Sequence, residues 1–167
     1  ERLARPEDWP DYLGAYYRDR SDELVLDFIS LCEQEQALSL LGNPEHAHVG
    51  GPVVSKFHLD EAAVLDERLG DEAGRVRDFF AQLPLVAFAD CGAVFTHGAP
   101  RGTEPDVEAF ERLRYEGYED VPINDMFDLD TVGALLWSRS ATPEHARSLL
   151  TALRPGEGGR GFVAYGH

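Results

Sequence analysis

Three short segments set a nitrogen or oxygen donor beside glycine: Gly42-Asn43-Pro44-Glu45, Thr96-His97-Gly98-Ala99-Pro100 and Gly166-His167. Glycine lets the backbone turn sharply and approach closely, and a turn at a strand end is rigid enough to aim a side chain. Together Asn43, His97 and His167 offer one amide oxygen and two imidazoles. That borderline donor set suits Mn²⁺, Fe or Zn²⁺ better than Ca²⁺ or a thiolate-bound ion. Taken singly, each is an ordinary polar loop residue, and the chemistry lies in their convergence. Glu45, two residues after Asn43, either orients a ligand by hydrogen bonding or faces solvent. His46, His48 and His58 crowd one loop. Their HxH spacing can grip a metal in locally extended chain, although solvent-facing histidines are the commoner state. Arg139 is a weaker candidate for an anion, and Arg20 can pair with Asp19 or Asp22 at the surface.

The elements that must position these residues follow from periodicity. The first dozen residues mix charge and proline without a period and read as loop. Ser21 predicts an N-cap, followed by Asp22 and Glu23 at the positive helix end and by Leu24, Val25, Phe28, Ile29 and Cys32 at helical spacing. Ala37 to Leu41 predicts a short buried strand stopped by Gly42-Asn43-Pro44. Leu59 to Leu69 and Glu72 to Leu83 predict a helical hairpin broken at Gly70-Asp71. Leu85 to Ala89 and Ala93 to Thr96, around Asp90-Cys91-Gly92, predict an antiparallel β-hairpin with His97 at its exit. Val107 to Tyr115 predicts a helix, and Ala134 to Trp137 a short buried element with Trp137 in the core. Thr142-Pro143-Glu144 opens a helix running to Leu153, with a cap and then proline at the first helical position. Gly161 to Tyr165 predicts a last strand. Helices alternating with short strands point to an α/β layered fold.

A chain of 167 residues with 43% hydrophobic content predicts one globular domain, residues 1–167. It carries 15 basic residues, of which only Lys56 is lysine, against 31 acidic ones, a formal charge of -16. That charge repels nucleic acid and anionic lipid and excludes both as nonspecific partners. Cys32 and Cys91 show no CxxC spacing and read as reduced core thiols, which fits the cytoplasm. No apolar run approaches the roughly 18–20 residues that span a bilayer, and the start, ERLARPEDWP, lacks a secretory apolar region.

In order, the motifs resemble those of the calcineurin-like metallophosphoesterases, in their serine/threonine protein phosphatase branch. That family carries GDxHG, GDxxDRG, GNHE, an HGG-like segment and GH, each on a loop after a strand. Here Gly14-Ala15-Tyr16-Tyr17-Arg18-Asp19-Arg20, Gly42-Asn43-Pro44-Glu45, His97-Gly98-Ala99-Pro100 and Gly166-His167 come in that order, and Leu135-Leu136-Trp137-Ser138 is similar to the branch's LLWSD. The resemblance implies a sandwich of two mixed β-sheets flanked by helices, incomplete here at both ends. It implies a dinuclear centre, Mn²⁺ first among the candidates, that hydrolyses phosphomonoesters with a metal-bound hydroxide. The substrate it implies is a phosphoprotein or a small phosphate ester. Carried over residue by residue, Asn43, His97 and His167 are ligands of the second ion. Asp19, Arg20 and Glu45 are catalytic, with Arg20, Asn43 and Arg139 at the phosphate. Three parts of the pattern are missing. No GDxHG exists, Ala15 or Tyr16 stands where the bridging Asp belongs, and Pro44 replaces the general-acid His of GNHE. Proline has no proton to donate. The resemblance therefore leaves two functions, a metallophosphatase of weak or no turnover and a pseudophosphatase that binds phosphate or a protein.

Overall fold

The computed structural model describes residues 20–34, 37–55, 60–102, 106–154, 156 and 159–166. The chain is α/β. Helix α1 (Ser21–Glu33) buries Ile29 and half-buries Val25, Phe28 and Cys32, the stripe its spacing predicts. The start is shifted by one residue: Arg20 occupies the cap position, no side chain caps the helix, and Ser21 is its first helical residue. Leu24, expected on the buried stripe, is 54% exposed.

The expected strand over Ala37 to Leu41 is irregular chain. Leu41 is buried and donates its N–H to Pro84 O at 3.0 Å, whereas Leu38 is 78% exposed. Pro84 carries no N–H and cannot return a bond, so this pairing does not grow into a ladder. One helical turn follows, α2 (Asn43–His46), with Gly42 as its cap. Helices α3 (Glu61–Leu69) and α4 (Ala73–Ala81) are joined by the 3₁₀ turn Gly70–Glu72 and form the predicted hairpin. Asp60 caps α3 by accepting from Ala63 N at 3.0 Å. Leu65, Leu69, Val76 and Phe80 pack with Ile29 of α1 in the larger core.

Strands β1 (Val86–Phe88) and β2 (Ala93–Thr96) pair antiparallel with Val86 opposite Thr96, as the turn residues predict. Cys91, expected in the core, is exposed at the tip of this hairpin, and both cysteines are free. Strand β3 (Phe162–Tyr165) lies parallel to β2 with Ala93 opposite Phe162, so the sheet order is β1-β2-β3. This is the one sheet among the described residues, where the resemblance implies two.

The helix expected over Val107 to Tyr115 stops at α5 (Val107–Phe110). Tertiary bonds pull the following residues off the helical path. The Tyr115 hydroxyl donates to Leu83 O at 2.9 Å, and Tyr115 O accepts from the His46 ring at 2.8 Å. Helices α6 (Ile123–Leu129) and α7 (Thr131–Trp137) follow, and every residue of α7 is buried. Asp130 caps α7 by accepting from Gly133 N at 2.8 Å. Helix α8 (Pro143–Leu153) starts with the predicted Thr142 cap and covers the sheet by packing Leu149, Leu150 and Leu153 on Val94. No helix among the described residues is long and apolar enough to cross a membrane.

Candidate functional site

Strand β2 delivers His97, and the turn after it is stitched to the end of α7. Thr96 Oγ1 donates to Gly98 O at 2.7 Å. Gly98 N donates to Leu135 O at 2.6 Å and Ala99 N to Ser138 O at 2.8 Å. A Cβ on Gly98 would stand 2.8 Å from Leu135 O and 3.0 Å from Ala134 O, backbone atoms that cannot swing aside, so the contact requires glycine. From the other side, Leu41 and Gly42 carry in Asn43. A Cβ on Gly42 would overlap the Glu45 carboxylate and lie 3.2 Å from the His97 ring. Two glycines thus let the two segments meet. His97 Nε2 donates to Asn43 Oδ1 at 2.8 Å across 54 residues of sequence. Because Asn Oδ1 only accepts, the shared proton belongs to Nε2.

The pair opens on a cavity of about 590 Å³. Its polar lining adds Ser55 and Arg139 to Asn43 and His97, and Val54, Ile123 and Trp137 line it with apolar side chains. Arg139 is exposed and makes no hydrogen bond or ion pair with any described residue. Its guanidinium carries planar N–H donors at the cavity wall. A second cavity of about 510 Å³ reaches the same Asn43 and His97 from the side of α1, where Leu24, Phe28 and Phe79 line it together with Glu45.

Of the residues singled out by sequence, Asn43, His97 and Arg139 share one cavity, and Glu45 folds back over Gly42 beside His97. Gly166 lies against the same turn, since a Cβ there would stand 3.6 Å from His97 O. Asp19 and His167, like His58 and the segment 14–19, lie outside the described residues. Arg20 lines neither cavity. It is exposed and ion-paired with Glu23, and that hydrogen bond raises its pKa above the usual guanidinium value. A surface pair is present, with Glu23 as the partner rather than Asp22; Asp19 lies outside the described residues.

The histidine loop makes no HxH grip among the described residues, because its two described rings turn to different partners. His46 is fully buried, donates Nε2–H to Tyr115 O at 2.8 Å and stands edge-on to Tyr118. Its Nδ1 has no partner among the described residues, and burial lowers its pKa. His48 Nδ1 meets Asp66 Oδ1 at 3.1 Å. Val54, Ser55 and Ile123 escaped sequence reasoning because no motif marks a cavity wall. Trp137 lies in the core as its sequence context predicts, 5% exposed, and its indole N–H has no acceptor among the described residues.

Among the described residues no three of His, Cys, Asp and Glu gather to hold a metal ion. Asn43 Oδ1 and His97 Nε2 are atoms of the type that bind divalent cations, and both are taken up by the hydrogen bond between them. A cation would bind the pair only after that bond opens, with the imidazole turned from Asn43 Oδ1 and its proton on Nδ1. No family model, no curated protein and no solved structure matches the chain.

Proposed function

We propose that this cavity is the phosphate-ester site of a metal-dependent phosphoesterase of the calcineurin-like type. The reading rests on one observation: residues from the turns at 42–45 and 97–100 and from the segment after α7 converge on one cavity, with Gly166 against its His97 turn. Asn43 and His97 hold a divalent cation, most simply Mn²⁺, with His167 as the further ligand that the resemblance supplies. Arg139 holds phosphate oxygens through its planar fork, while Glu45 restrains the Asn43 turn. A bound cation polarises a phosphoryl oxygen and makes water a better nucleophile near neutral pH. The two-sheet sandwich and a cytoplasmic setting belong to this same reading.

A second reading, a pseudophosphatase that binds phosphate esters without turnover, is favoured by Pro44. It sits in α2 directly beside Asn43, where the family has a proton donor, and offers none. Elemental analysis after Mn²⁺ loading and desalting tests the shared core of both readings. The expected result is about one ion per chain, lost in His97→Ala and in Asn43→Ala. Retention of the ion in both variants removes the proposed centre. Hydrolysis of an aryl phosphate by the loaded protein then decides between enzyme and binder.

A further inference from the structure

The cavity is far larger than a phosphate group, and its walls are divided. Arg139, Ser55, Asn43 and His97 supply polar contacts, while Val54, Ile123 and Trp137 supply apolar ones. At about 590 Å³ it is open to solvent and has room for a small organic molecule. A phosphate held by Arg139 leaves the apolar part of that volume to whatever the phosphate is esterified to. A polar or charged group resting on Val54 and Ile123 would lose water without gaining partners there, because those side chains can return no hydrogen bond. An apolar group would lose nothing and would displace water from apolar surface.

Building on the phosphate-ester reading above, we propose that the site selects phosphate monoesters of an apolar, ring-sized alcohol, the aryl phosphates, over esters of small polar alcohols. Arg139 contacts the phosphate oxygens, and the ring rests against Ile123, Val54 and Trp137. Selection is therefore made by the leaving group, with the phosphate contacts common to all esters.

Calorimetric titration of the Mn²⁺-loaded 167-residue chain with phenyl phosphate, glycerol phosphate and inorganic phosphate tests this. The expected result is phenyl phosphate binding at least about tenfold more tightly than the other two. Ile123→Ala and Val54→Thr should each narrow that preference without changing inorganic phosphate affinity, and Arg139→Gln should weaken all three. Equal affinity for phenyl and glycerol phosphate, with all binding still dependent on Arg139, overturns the aryl preference and leaves the phosphate site standing. Binding of none of the three overturns both. A preference that persists unchanged in Ile123→Ala and Val54→Thr also overturns the assignment, because the ring would then rest elsewhere.

Discussion

Gly98 is the residue on which the site's geometry turns. Its N–H and missing Cβ let the His97 turn lie directly on the end of α7. Gly98→Ala pushes a methyl group against two backbone carbonyls, and relief comes only by moving the turn. The expected cost is about 1–3 kcal/mol in chemical denaturation, together with a loosened contact between His97 and Asn43 and, on the proposed reading, weaker Mn²⁺ retention. A variant that melts like the parent would show that the turn has room to yield. His46 makes a different prediction. Burial lowers its pKa, and the nearby carboxylates of Asp130 and Glu119 oppose that without outweighing it. The unfolded chain therefore takes up a proton near pH 6.5, while the folded chain takes it up only at lower pH. Stability contributed by neutral His46 is complete above pH 6.5 and is lost as pH falls through the folded value. His46→Gln, which keeps an N–H for Tyr115 O, should flatten the decline between about pH 7 and pH 5. Denaturant midpoints across that range check it.

Among the elements, α7 carries the greatest structural demand. It is buried along its whole length, so its first turn has no water to satisfy it. Asp130 answers with both carboxylate oxygens, taking Gly133 N on Oδ1 and the Tyr118 hydroxyl on Oδ2, each at 2.8 Å. Burial and this carboxylate together raise the Tyr118 pKa above the ordinary phenol value. Asp130→Ala should cost about 2 kcal/mol, one part for the cap and one for the stranded hydroxyl. Asp130→Asn should recover at least half, because its Oδ1 still caps. At α8, Thr142 accepts from His145 N at 3.2 Å on an exposed helix start. Thr142→Ala should cost only about 1 kcal/mol. Thermal melts of the three variants give the ranking, and an Asp130→Ala loss no larger than that of Thr142→Ala would contradict it.

The molecule as a whole carries a formal charge of -16. Its surface ion pairs, such as Arg68–Asp22 and Arg75–Glu33, each at 3.1 Å, are partly or largely exposed and worth little apiece. Self-repulsion therefore dominates, and salt should stabilise the fold. Raising NaCl from about 20 to about 500 mM is expected to raise the melting temperature by a few degrees; a decrease would mean that the ion pairs prevail. What was legible in the sequence was local. The stripes of α1, α3 and α4, the Thr142-Pro143 start of α8 and the Gly92 hairpin all rest on near-neighbour periodicity and turn chemistry. Asn43 and His97 were marked as candidates by residue type, glycine context and motif order, and Arg139 as a weaker one; the structure places all three at one cavity. The tertiary structure decided what depends on distant partners. Pro84 denied Leu41 a ladder, Tyr115 was drawn away from α5, and β3 came to lie parallel to β2 across more than sixty residues. It also turned Arg20 to Glu23 and gathered Ser55 and Ile123 around Asn43 and His97. Periodicity reports which face of an element is apolar, whereas a cavity is made by which faces meet, and that is a property of packing between segments far apart in the chain.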